Sequence, residues 1–162
     1  MSAPTIRWMI RRDMPEVIAI ESECFDFPWS QEDFTTALSQ RNCIGMVAER
    51  DEKVVGYMIY EFEKFKLNIL NLAVMPSYWR QGIGSAMLNK LIGKLRIERR
   101  NRITLKVSED NLRGHLFFKK LGFRAISVLR SHYEHNKADA YQFVYKVRTL
   151  KENESENLQR VN

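Results

Sequence analysis

Three extended stretches occupy the middle of the chain, about Ile44–Glu49, Val54–Phe62 and Lys66–Val74. They are rich in β-branched and aromatic residues, and the polar breaks Asp51-Glu52-Lys53 and Glu63-Lys64 separate them. This pattern predicts three strands joined by antiparallel hairpins. Upstream, Ile6–Ile10 is a short strand candidate. Asp13-Met14-Pro15-Glu16 then has the composition of a helix start, with Asp13 as cap, Pro15 in the first turn and Glu16 three residues on. That helix runs to about Phe25 with Val17, Ile18, Ile20 and Cys24 on its apolar side, and Phe27-Pro28-Trp29 ends it. Ser30 caps a second helix over Gln31–Gln40, where Phe34 and Leu38 recur at helical spacing.

Downstream, an amphipathic helix spans Gly84 to about Arg99, and Ile103–Val107 is a buried-type strand. Asn111–Lys120 is a helix closed by Gly122, with Phe123 behind it. Two last strands, Ser127–Tyr133 and Tyr141–Val147, flank a polar hairpin loop. The order β-α-α-β-β-β-α-β-α-β-β predicts an α/β fold around a mixed sheet. The length suits one domain over residues 1–150, and KENESENLQRVN, residues 151–162, reads as a polar tail.

The junction between the third strand and the amphipathic helix carries the clearest chemistry. The apolar run Ile69–Val74 ends in Met75-Pro76, and Arg80-Gln81-Gly82-Ile83-Gly84-Ser85 opens the helix. Glycines let a loop wrap closely around a ligand, and first-turn amides have no intrahelical partner. Together with the helix dipole they favour a phosphate, and Arg80 adds a cation. A plain strand–turn–helix connection with a glycine-rich turn fits the same spacing. No Gly-Lys-Ser/Thr follows, which argues against a P-loop, and Gly82 and Gly84 fall one glycine short of the dinucleotide fingerprint.

Charge modifies this picture only locally. Net charge is +6, and Lys90, Lys94, Arg96, Arg99, Arg100 and Arg102 lie in one stretch against Glu98 alone. Such a run is a solvated helix face or a draw for an anionic partner. No aromatic residue is interleaved with it, which argues against direct nucleic-acid binding. No apolar run approaches the roughly 20 residues that cross a bilayer. Charges arrive early in MSAPTIRWMIRRD, so the chain is expected to be cytoplasmic. Cys24 and Cys43 lack metal or redox spacing and are expected to be free thiols. His115, His132 and His135 form no ligand spacing with them, so no metal is expected.

Asn71–Pro76, the Arg80–Ser85 loop, Asn111 and Leu121-Gly122-Phe123 together resemble the GCN5-related N-acetyltransferases. Phe27-Pro28-Trp29-Ser30, between two N-terminal helices, resembles the ribosomal-protein alanine N-acetyltransferase branch. The resemblance covers about Arg7–Val147 and implies a mostly antiparallel mixed sheet flanked by helices, with acetyl-CoA as cosubstrate. It implies that the backbone of Leu72, Ala73 and Val74 pairs with the pantetheine arm. It also implies that Arg80, Gln81, Gly82, Ile83, Gly84 and Ser85 hold the pyrophosphate, that Asn111 bonds to the cofactor, and that Tyr133 belongs to the acceptor lip.

The chain departs from that family at three positions. Trp79 stands where a Gln or Arg is usual, Lys106 replaces the glutamate assigned as general base, and Phe118 replaces the tyrosine acid beside the cofactor thiol. Lys106 is read either as a buried base with a lowered pKa or as a lysine that snorkels outward or pairs with a carboxylate such as Glu61 or Glu109. Other candidate proton-handling groups are Glu61, His132 and Tyr133, while His115 is expected at the surface. An N-terminal α-amine has a pKa of about 7.7–8 against about 10.4 for lysine, so it needs a base far less. The expected function is therefore acetyl transfer to a protein N-terminus or peptide, with a ribosomal protein as one such acceptor. A small-amine or lysine acetyltransferase and an acetyl-CoA-binding module with little catalysis are the alternatives.

Overall fold

In the computed structural model, which describes residues 3–147 and 158, period-two alternation places two cores on opposite faces of one sheet. Met58 and Tyr60 face one core, while Tyr57 and Ile59, one residue out of phase, face the other. The strands are β1 (Thr5–Trp8), β2 (Cys43–Arg50), β3 (Lys53–Phe62), β4 (Lys66–Val74), β5 (Arg102–Ser108), β6 (Arg124–Leu129) and β7 (Ala140–Lys146). The helices are α1 (Met14–Cys24), α2 (Gln31–Leu38), α3 (Ile83–Ile97) and α4 (Leu112–Lys120), with 3₁₀ turns at Arg11–Asp13 and Pro76–Tyr78. The seven strands form one sheet in the order β1-β2-β3-β4-β5-β7-β6. Among the described residues, only β4 and β5 pair in parallel. The mixed, mostly antiparallel α/β sheet read from the sequence is the sheet observed.

Ile83, Met87, Leu88, Leu91 and Leu95 of α3 and Phe118 of α4 bury against one face. Val17 and Ile20 of α1 and Phe34 of α2 bury against the other. Ser30 caps α2 as expected: its hydroxyl accepts from Asp33 N at 3.1 Å and Asp33 Oδ2 accepts from Ser30 N at 2.8 Å. Gly122 sits after α4 with φ +94°, and Phe123 N donates to Phe118 O at 3.0 Å, closing a Schellman turn.

Several local expectations need correction. β1 ends at Trp8 rather than Ile10, because Arg11–Asp13 turns into a 3₁₀ helix there. Asp13 does not cap α1 with its side chain. Its carboxylate instead takes both Nη1 and Nη2 of Arg7 at 2.7 Å and Ile10 N at 2.8 Å. α2 stops at Leu38 and α3 at Ile97, each two residues short of the expected end. β6 begins at Arg124 and ends at Leu129, so Tyr133 lies in the β6–β7 loop, not in a strand. That loop turns at Ser131, with φ +49°, where Asp139 Oδ1 accepts Ser131 N at 2.8 Å. The tail expected over 151–162 lies outside the described residues apart from Leu158.

Candidate active site

The site grows from a fault in the sheet. β4 and β5 pair from Lys66↔Arg102 to Ile69↔Leu105 and then separate. The fault begins at Leu70, which the β3–β4 register skips: Ile59 faces Asn71 and Tyr60 faces Ile69. A bulge of this kind bends the strand and redirects its edge. Beyond it, the β5-facing edge of Leu72, Ala73 and Val74 has no strand partner, which makes it a template for an extended amide-bearing ligand. At the base of the split, Thr104 Oγ1 donates to Asn68 Oδ1 at 2.8 Å, and Asn68 Nδ2 donates to Glu61 Oε1 at 3.1 Å. These side chains tie β3, β4 and β5 together where the separation starts.

The glycine loop lies at the far end of β4. Arg80 and Gly82 both adopt positive φ, +63° and +80°. Gly82 is the N-cap of α3 and no side chain caps that end. The amides of Ile83, Gly84 and Ser85 therefore open the helix without intrahelical partners, as an anion cradle requires. A Cβ on Gly82 would meet nothing within 4 Å, whereas one on Gly84 would lie 3.1 Å from the Phe117 ring. Phe117 thus packs α4 onto the start of α3. Gln81 is fixed from below: Arg50, 7% exposed, donates to Gln81 Oε1 at 2.7 Å. Arg50 closes β2 beside Asp51 and Glu52, so in sequence it reads as part of a charged turn. Only the long-range contact reveals it as a support of the loop.

Trp79 has an interaction of its own. Its indole Nε1 donates to Val74 O at 2.6 Å, and the Arg113 guanidinium lies 4.1 Å from its ring centroid. The aromatic residue thus links the end of β4, the glycine loop and the first turn of α4. Asn111 is the N-cap of α4, where its Oδ1 accepts Gly114 N at 2.9 Å.

The opposite mouth of the split is bounded by the α1–α2 and β6–β7 loops. Phe27 of the first stacks on His135 of the second with ring centroids 3.9 Å apart. Tyr133 is half-buried in the same loop, its phenol pKa raised by burial, and exposed His132 meets it edge-on at 5.0 Å. His135 was not a candidate, because an isolated loop histidine carries no sequence signal for a stacking partner over a hundred residues away. Glu21, also unforeseen, is 2% exposed on α1. It accepts Trp29 N at 2.9 Å, Asn71 Nδ2 at 2.9 Å and the Tyr57 hydroxyl. This carboxylate fastens the Phe-Pro-Trp loop to β4. Burial and the Glu21 charge hold the Tyr57 phenol neutral far above its ordinary range.

The proton-handling candidates are dispersed. Lys106 is exposed, which excludes the buried-base reading, and among the described residues it forms no ion pair. Neither expected partner reaches it: Glu61 binds Asn68, and Glu109 accepts Asp139 N at 3.0 Å. Phe118, 5% exposed, is packed among Phe117, Phe123 and Phe143. His115 is not a free surface group, since its Nε2 lies 3.0 Å from Ser108 O and its ring meets Tyr141 and Phe143 edge-on. Cys24 and Cys43 are free, and burial, reinforced by Glu21, raises the Cys24 thiol to about 11. Among the described residues no helix is long and apolar enough to cross a membrane, and no His/Cys/Asp/Glu group could hold a metal ion.

A split sheet whose unpaired strand edge leads to an uncapped glycine-rich helix start suits an extended, amide-bearing ligand that ends in a phosphate. Residues 14–123 match the model of the acetyltransferase (GNAT) family, and the chain belongs to that family. It is an acetyl-CoA-dependent N-acetyltransferase. It is 28% identical over 129 residues to the [ribosomal protein bS18]-alanine N-acetyltransferase of Escherichia coli (strain K12), covering 80% of this chain and 86% of that protein. An uncharacterized N-acetyltransferase of Methanocaldococcus jannaschii is 32% identical, over 80% of this chain and 83% of its own length. The crystal structure of the Escherichia coli ribosomal-protein-S18-alanine N-acetyltransferase superposes with a TM-score of 0.82 at 26% identity, covering 93% of this chain and 97% of that one.

Proposed function

We propose that this enzyme acetylates the N-terminal α-amine of a protein, with a ribosomal protein as the acceptor, in the cytoplasm. Residues 1–150 act as its single domain. The supporting observation is the chemistry of Lys106 and Phe118, the two positions where the family resemblance implies a base and an acid. One is an exposed lysine and the other a buried phenyl ring. Neither is the carboxylate or the phenol that the resemblance implies at these positions. An α-amine, with a pKa of about 7.7–8, is already neutral in roughly a tenth or more of molecules at pH 7, whereas a lysine side chain at about 10.4 is not. The names borne by the Escherichia coli relatives point the same way.

Acetyl-CoA supplies the thioester carbonyl that the neutral amine attacks, with the thiolate leaving. The chain's own residues do the rest. The unpaired edge of Leu72, Ala73 and Val74 receives the extended arm, and the Arg80–Ser85 amides hold its pyrophosphate. Asn111 fixes the start of α4 beside it. Tyr133 and His132, with the Phe27–His135 stack, close the acceptor side. Glu61 lies at the base of the split, in reach of a proton only through water. Positioning of this kind can match or exceed the roughly 10²–10⁴ in rate that a placed acid or base contributes.

The test is acetyl transfer from acetyl-CoA to a peptide with a free N-terminal alanine. The comparison is the same peptide N-terminally blocked and carrying lysine. Product on the free-amine peptide alone is expected. Preference for the blocked peptide would overturn the reading and favour lysine side chains.

A further inference from the structure

Lys106 is the first residue of β5 beyond the last rung paired with β4, so it stands at the mouth of the split. Its neighbours Leu105 and Val107 point into the core beneath α3 and α4. Alternation along the strand therefore turns Lys106 to the other face. This is the face of Asn68, bonded to Thr104, and of Asn71, bonded to Glu21 of α1. It is also the face bounded by the α1–α2 and β6–β7 loops, where the acceptor would enter.

The charge there is unspent. Lys106 is exposed and has no ion pair among the described residues. Gln142, its cross-strand partner on β7, turns its amide to Leu105 O at 3.1 Å instead. Further down the same face, Arg102 pairs across the ladder with Lys146, and Glu61, the carboxylate at the base of the split, is bonded to Asn68 rather than to Lys106. A lysine at this place repels an incoming cation and leaves the first residues of an acceptor facing an unpaired ammonium. Such a group discriminates by sign of charge.

We infer that Lys106 is a specificity-determining residue, and that the acceptors are N-termini carrying Asp or Glu at the second or third position. This rests on the α-amine reading above. Successive residues of an extended peptide rise about 3.3 Å, so a side chain at position two or three is the first that can reach back to β5 once the amine is in the split.

The experiment uses the full chain, acetyl-CoA and three peptides that share a free N-terminal alanine and differ at positions two and three: Asp-Asp, Gln-Gln and Lys-Lys. kcat and KM are measured for each with wild type, Lys106→Gln, Lys106→Glu and Arg96→Glu. Arg96→Glu makes the same charge change on α3, across the sheet. Wild type is expected to favour the acidic over the basic peptide by about tenfold in kcat/KM, chiefly through KM, with the ratio shrinking as salt is raised. Lys106→Gln should bring the ratio to within about twofold, Lys106→Glu should invert it, and Arg96→Glu should leave it. Transfer with no charge preference would overturn this inference alone. So would a ratio that survives Lys106→Gln or moves equally with Arg96→Glu. No transfer to any of the three peptides would overturn the α-amine reading itself, and this inference with it.

Discussion

Replacing Glu21 by Ala should be among the most destabilising single changes in the chain. The carboxylate is 2% exposed and receives three donors: Trp29 N, Asn71 Nδ2 and the Tyr57 hydroxyl. Tyr57 is itself fully buried, so its hydroxyl has no route to bulk water once the acceptor is gone. Stranding a buried donor costs about 1–3 kcal/mol, and a small cavity adds to it. Against this, removing a buried carboxylate that has no cationic partner among the described residues relieves a desolvation cost. The balance is a loss of about 3 kcal/mol, a large share of a typical 5–15 kcal/mol. With a urea slope of about 2 kcal/mol per molar, the unfolding midpoint should fall by about 1.5 M. The cost should be non-additive: in a Tyr57→Phe background, which removes one donor, Glu21→Ala should cost about 1–2 kcal/mol less. Equilibrium urea unfolding of the four proteins measures both quantities. A midpoint shift worth under about 1 kcal/mol, or strict additivity, would refute the network as a stabilising unit.

The glycine loop and the N-terminal ion pair make separate predictions. Gly82→Asp forces a non-glycine residue to φ +80° and brings a negative charge to the cradle. It should cost about 1–2 kcal/mol in stability and weaken acetyl-CoA binding more than tenfold by calorimetry; unchanged affinity would show that the loop does not hold the pyrophosphate. Asp13 has its pKa lowered chiefly by the hydrogen bond from Arg7. Its contribution to stability is therefore fully present above about pH 4, the unfolded value, and disappears as pH falls through the folded one. Asp13→Asn should be less stable near neutrality yet lose less on acidification, and parallel stability–pH curves for the two proteins would contradict the assignment.

The parts of this molecule that were legible in its sequence are those fixed by neighbours in the chain. Ser30 and Asp33 are three residues apart, and their capping box forms as expected. Gly122 follows α4 directly, and its positive φ closes the Schellman turn. The glycine loop was recognisable because both its glycines and its helix lie in one short segment. What escaped is held by distance. Asp13 looks like a cap until β1 pairs with β2 and brings the half-buried Arg7–Asp13–Glu49 cluster together. Glu21 reads as a surface residue of an amphipathic helix, and its partners lie 8, 36 and 50 residues away. β6 was misplaced for a different reason. It is an edge strand whose first four residues are all exposed, so it lacks the period-two signal that marks a half-buried strand.

The bulge at Leu70 shows why the site needs polar ties on both sides. Opening β4 from β5 leaves strand edges unpaired in the middle of a sheet, and an unsupported split would close or take up water unpredictably. At the base, Thr104, Asn68 and Glu61 bridge the diverging strands through side chains. Just past the bulge, Asn71 is held by Glu21, whose other oxygen takes the backbone of Trp29 in the α1–α2 loop. At the far end, Val74 O takes the Trp79 indole, and Arg113 on that ring secures α4. Each tie fixes a different stretch of β4, so the geometry of the gap is set before any ligand arrives. With Lys106 and Phe118 at the positions where the family resemblance implies a base and an acid, the proposed reaction leans on such preorganisation. This makes the ties, more than any single proton-handling group, the places where substitution should separate binding from turnover.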